Sequence, residues 1–127
     1  MKKRTRIGVT IGDPNGIGPE IILKSFKDVR LFEEVTPVIF SSKNTIDYYL
    51  ELLGFDILVN EINSLKKCKE GHFNIHSLPL EHNIVPGKFC RIAGEVSYQS
   101  LKIATNEMVS GRLDAIVTAP INKSNIQ

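Results

Sequence analysis

The residues of this chain best suited to chemistry are not side chains but backbone amides. Gly12-Asp13-Pro14-Asn15-Gly16-Ile17-Gly18 is a loop with little side-chain bulk, followed at once by Pro19 and Glu20. Pro19 suits the first helical position, where its missing N–H is no loss. Glu20 in the first turn suits the helix dipole. A glycine-rich turn opening a helix presents bare N–H groups to an anion. The same residues also serve a plain strand-to-helix connection that needs glycine for its backbone angles. Gly16 is taken as a position of positive φ, so that Gly16→Val would harm ligand binding or local folding.

Two phosphate motifs are excluded. A P-loop requires G-x-x-x-x-G-K-[ST], and no lysine follows these glycines. A dinucleotide fingerprint requires G-x-G-x-x-G and an acidic residue after the second strand. Here the glycines are 12, 16 and 18, and the second strand runs out into Phe40-Ser41-Ser42-Lys43.

A second candidate is Lys123 in Thr118-Ala119-Pro120-Ile121-Asn122-Lys123. Its ammonium is a point charge that suits a phosphate or carboxylate, and it reads equally as a solvated surface lysine. Histidines supply the third group, His72, His76 and His82. Four strand residues separate the first two by about 13 Å, too far to share an ion held at about 2 Å from each ligand. Cys68 and Cys90 lack metal spacing and read as plain thiols in a reducing cytoplasm. No metal ligand is therefore assigned, and no catalytic residue.

Alternating elements position these groups. Ile7, Val9 and Ile11 mark a first strand, and a helix over 19–29 carries Ile22, Phe26 and Val29 on one side. Val35–Phe40 reads as a buried strand. A helix over 45–53 follows, with Gly54 as its left-handed stop. Residues 55–59 and 72–76 read as short strands. A turn at 85–88 precedes the longest helix, 91–110, with Ile92, Ala93, Val96, Ser100, Leu101, Ile103, Ala104 and Met108 along half its wheel. Residues 115–118 read as a buried parallel strand. This alternation defines an α/β chain with a mostly parallel sheet. Ligands of such sheets sit beyond the carboxyl ends of the strands, so the loops at 12–18 and 119–123 should share an edge.

The 127 residues, 42% hydrophobic and 24% charged, are enough for one domain with a core. A net charge of +2 gives no electrostatic case for nucleic acid or anionic membrane as partner. No run reaches membrane-spanning length, and the Asp-Pro-Asn-Gly turn interrupts any secretory signal.

The motifs Gly12–Glu20, Pro86-Gly87-Lys88-Phe89-Cys90-Arg91-Ile92-Ala93-Gly94-Glu95 and Thr118–Lys123, in this order, resemble those of the 4-hydroxythreonine-4-phosphate dehydrogenase family. The first is also similar to the loop of isocitrate and isopropylmalate dehydrogenases. The resemblance implies a three-layer, isocitrate/isopropylmalate dehydrogenase-like α/β fold and a cytoplasmic homodimer. It implies oxidation and decarboxylation of 4-phosphooxy-L-threonine in vitamin B6 synthesis, with NAD or NADP and a divalent metal (Zn, Mg or Co). Gly12, Asp13, Gly16, Ile17 and Gly18 become cofactor-side residues, and Lys123 a substrate contact. Family members are more than twice this length, and their metal ligands lie beyond the second motif. The chain therefore reads as a truncated N-terminal portion, expected to be inactive alone and to associate through exposed apolar surface. A dehydrogenase of a related phosphorylated hydroxy acid, and a non-catalytic phosphate-binding or assembly module, are the alternatives.

Overall fold

A computed structural model describes residues 4–79, 87 and 91–119. Their strands are β1 (Thr5–Thr10), β2 (Val35–Phe40), β3 (Val59–Ile62), β4 (Phe73–His76) and β5 (Ala115–Thr118). Helices α1 (Gly18–Ser25), α2 (Lys43–Leu53) and α3 (Arg91–Val109) connect them, with 3₁₀ turns at Val29–Glu33 and Leu65–Lys67. The strands form one sheet in the order β3-β4-β2-β1-β5, and every pairing is parallel.

That order sets the layers. The chain leaves β1 toward β2 through α1, and leaves β2 in the same direction through α2. It then reverses, running from β4 through α3 to β5 on the far side of β1. Right-handed crossovers in opposite directions put their helices on opposite faces. Helices α1 and α2 pack together, and α3 packs on β1, β2 and β5. The result is the expected three-layer α/β arrangement.

The core follows from strand position. Val38, Ile39 and Phe40 of the central β2 are fully buried, as are Ile11, Leu23, Ile46 and Ile75 around them. Each contributes about 2 kcal/mol by leaving water. Asn74 is fully buried among them. Its amide nitrogen donates to the carbonyls of Pro37, Lys69 and His72 at 3.2, 3.0 and 2.9 Å. Its oxygen accepts from the Lys69 amide at 3.0 Å and from Asn60 Nδ2 at 2.8 Å.

Several sequence expectations are corrected. Helix α1 stops at Ser25, because Phe26 turns away to stack with Phe32 (6.0 Å) and to meet Phe73 edge-on (5.7 Å). Val29 belongs to the 3₁₀ turn instead and is exposed. The third strand is Val59–Ile62 rather than 55–59, since Phe55 and Ile57 pack on the core from irregular backbone. Strand β5 is not buried: it borders the described sheet, and Val117 is 54% exposed. Helix α3 turns its small residues inward, Ala93, Ser97, Ser100 and Ala104 beside Val96. Ile92, Leu101 and Met108 are left exposed, because only small side chains let the helix close on the sheet.

The helix stops are as expected. Gly54 ends α2 at φ 68°, and its amide donates to the carbonyls of Glu51 and Leu50. Ser42 caps the start of α2 by accepting from the Thr45 amide, so the helix opens at Lys43.

Candidate functional site

The loop after β1 is held from within. Gly12 takes φ 70°, which bends the chain out of the strand. Asp13 then accepts the Asn15 amide on Oδ1 (2.9 Å) and the Gly16 amide on its carbonyl (3.0 Å). Such local side-chain bonding is the usual Asp turn. The Asn15 carbonyl accepts from the Gly87 amide at 2.6 Å, which ties a second glycine turn to the first.

Gly16 and Gly18 differ in what requires a glycine, and neither takes a positive φ. Gly16 lies outside the left-handed region, and a Cβ there would sit 3.4 Å from Asp13, an ordinary contact. A Cβ on Gly18 would sit 2.6 Å from the Ile11 carbonyl oxygen and 3.1 Å from Ala119 Cβ. Close approach, not backbone angle, therefore demands the glycine at 18. The expected harm of Gly16→Val loses its stated reason.

Helix α1 begins without a side-chain cap, at Ile17, with Gly18 rather than Pro19 in its first position. The amides of Ile17, Gly18 and Glu20 precede the first intrahelical bond, Ile21 to the Ile17 carbonyl. Ile17 itself is 61% exposed. The loop thus offers amide donors that have no partner among the described residues, beside an apolar side chain.

Tyr49 of α2 braces the loop from below, its hydroxyl donating to the Pro14 carbonyl at 2.7 Å. Burial, then the nearby Tyr48, Asp13 and Glu20, push its pKa up to about 12. A group whose folded pKa is raised gives stability that is complete below its unfolded value of about 10 and is lost as pH rises. Stability should fall between pH 10 and about 12. Tyr49→Phe should lower stability at pH 7 by about 1 kcal/mol and flatten the alkaline loss. Urea unfolding at pH 7 and above pH 10 checks both.

Strand β5 brings the second motif to the same edge. Thr118 pairs with Thr10, and the Ala119 amide donates to the Thr10 carbonyl at 3.2 Å. The start of α1 touches Ala119, as the Gly18 geometry shows. Because the chain reverses direction between β1 and β5, this edge is the topological switch point of the sheet, where α/β proteins take ligands. Lys123, assigned to the substrate, lies outside the described residues, as do His82 and Cys90.

Ser100 joins the layers at this edge. Its Oγ accepts the Ile11 amide at 3.0 Å and donates to the Phe40 carbonyl at 2.6 Å, locking the ends of β1 and β2 to α3. Ser100→Ala should destabilise by about 2 kcal/mol, because a buried amide is left unpaired. Denaturant titration measures it. Position alone did not reveal this role, nor that of Tyr49. The available signal was a serine set in an otherwise apolar helix stripe.

The other candidates do not join the edge as a cluster. His72 Nδ1 bonds the Glu70 carbonyl (2.9 Å), and His76 stacks on Phe40 at 5.1 Å with Nδ1 on the Ser77 carbonyl (2.9 Å). Among the described residues no group of three or more His, Cys, Asp or Glu side chains could hold a metal ion. Burial raises the pKa of the Cys68 thiol, so it stays protonated at neutral pH. Among the described residues no helix is long and apolar enough to cross a membrane.

A three-layer parallel sheet with a glycine-rich turn at its switch point places the chain among α/β proteins, a class whose ligand sites lie at the carboxyl edge of the strands. Residues 33–127 match the family model of the pyridoxal phosphate biosynthetic protein PdxA, and the chain belongs to that family. It is 33% identical to the 4-hydroxythreonine-4-phosphate dehydrogenase of Bacteroides thetaiotaomicron over 99% of this chain and 35% of that protein. It is 34% identical to a Clostridium botulinum protein with the provisional name D-threonate 4-phosphate dehydrogenase, over 95% of this chain and 37% of that one. The crystal structure of a 4-hydroxythreonine-4-phosphate dehydrogenase from Burkholderia phymatum superposes with TM-score 0.90 at 27% identity. That match covers 98% of this chain and 39% of the crystallised one. The chain thus spans well under half the length of these relatives.

Proposed function

We propose that these residues form the N-terminal part of an NAD- or NADP-dependent dehydrogenase that oxidises and decarboxylates 4-phosphooxy-L-threonine. The observation that carries this reading is the junction of Gly18 with Ala119 at the switch point, which sets the uncapped start of α1 beside the second motif. The amides of Ile17 and Gly18 would bind a cofactor phosphate, with Ile17 packing on its apolar surface. Gly12, Asp13 and Gly16 would hold the loop in shape, and Lys123 would pair with the substrate's phosphate or carboxylate. Held by the loop at 12–18, a nicotinamide cofactor would supply a hydride acceptor for C3 of the substrate; with loss of the hydroxyl proton this would give a β-keto acid, which would release carbon dioxide. The described residues do not furnish a divalent metal site, so no step is assigned to a metal here.

A second reading keeps the loop and the redox step but takes D-threonate 4-phosphate, the compound in the Clostridium relative's name. The two substrates share a 3-hydroxyl and a 4-phosphate and differ at C2, amine against hydroxyl. The reaction would proceed in a cytoplasmic homodimer under either reading.

The experiment is absorbance of reduced nicotinamide from the native protein carrying this sequence, with each substrate in turn. Turnover preferring 4-phosphooxy-L-threonine is expected. Preference for D-threonate 4-phosphate would establish the second reading, and phosphate binding without turnover on either would leave a binding or assembly module. The 127-residue chain alone should give no rate above a buffer control, because its described residues gather no metal ligands. A metal-dependent rate from pure chain would place the active centre within it.

A further inference from the structure

A second concavity lies at the opposite edge of the sheet, away from the glycine-rich loop. Where α1 and α2 end and β4 begins, a cavity of about 630 Å³ opens to solvent, within the range of about 300–1,000 Å³ typical of small-molecule sites. Phe26, stacked on Phe32 and edge-on to Phe73, lines it together with those two rings and Phe55. At its margin Val29 and Leu58 are 73% and 82% exposed, unusual for large apolar side chains beside a cavity.

One cation serves this aromatic cluster. Lys27 Nζ lies 4.6 Å from the Phe55 ring centroid, and among the described residues no carboxylate is within ion-pair distance of it. An ammonium held against an aromatic face gains further from a carboxylate partner. Asp56 and the C-terminal ends of α1 and α2 also line the space. Their negative potential opposes any anion, a doubly charged phosphate about twice as strongly as a single carboxylate, whose one charge Lys27 can offset.

We propose that this cavity binds a small aromatic carboxylate, its ring against the partly buried Phe26 and Phe32 and its single charge paired with Lys27. The site is separate from the proposed cofactor edge and does not depend on the dehydrogenase reading.

Calorimetric titration of the native protein with phenylacetate, benzyl alcohol and benzylamine tests it. Phenylacetate should bind saturably and most tightly, and NAD should leave its affinity unchanged. Lys27→Met, at an exposed position, should weaken phenylacetate about tenfold and leave benzyl alcohol as before. Absent phenylacetate binding, equal or tighter binding of benzylamine, competition with NAD, or an unaltered Lys27→Met variant would each overturn the proposal.

Discussion

Gly18→Ala is expected to destabilise the protein by about 3 kcal/mol, as overpacking against fixed backbone does. The added Cβ would lie 2.6 Å from the Ile11 carbonyl oxygen, a backbone atom that cannot swing aside. Relief requires α1 to move away from β1, which also opens the contact with Ala119. The neighbouring glycines supply controls. Gly16→Ala should fall within about 0.5 kcal/mol of the parent, because its Cβ finds an ordinary contact. Gly12→Ala should cost about 1 kcal/mol from its left-handed backbone. Denaturant midpoints of the three variants give the ranking, and a Gly16 variant as damaging as the Gly18 one would refute it.

Asn74→Ala should cost a similar amount, about 3 kcal/mol, since it leaves several buried backbone groups without a partner. The Lys69 amide and the Pro37, Lys69 and His72 carbonyls all meet this one side chain. Asn74→Leu, though apolar and close in size, should do no better, because the loss lies in unmet hydrogen bonds rather than in volume. A leucine variant as stable as the parent would show that the network contributes little.

Much of the layer order was legible in the residues. β-branched runs marked β1, β2 and β5, and Gly54 stopped α2 where a positive φ is needed. The parallel sheet followed from the alternation of elements, while its strand order and switch point came only with the structure. What escaped was set by tertiary contact. Val29 had the spacing to extend α1, but the Phe26 stack drew the chain off the helical path. The apolar stripe expected on α3 held large and small residues alike, whereas close packing buried Ala93, Val96, Ser100 and Ala104 and left Ile92, Leu101 and Met108 exposed. At the loop, glycine content was visible and the reason for each glycine was not. Gly18 is needed for a neighbour 7 positions earlier in the chain, which no local pattern reports.

The exposed residues of α3 and β5 bear on how this chain behaves alone. Leu101, Met108, Val109 and Val117 present apolar surface that a stable soluble domain would normally cover. Sedimentation of the 127-residue chain should accordingly show association rising with concentration, and a monomer throughout would contradict this expectation.

The central claim, that the cofactor meets the chain at the uncapped start of α1, is tested by glycine-selective ¹⁵N spectra of the native protein during titration with NAD. Saturable shifts of the Gly12, Gly16 and Gly18 amides are predicted, with Gly54 and Gly71 unmoved at the opposite edge. Saturation without any change at residues 12–18, or shifts confined to Gly54 and Gly71, would contradict it.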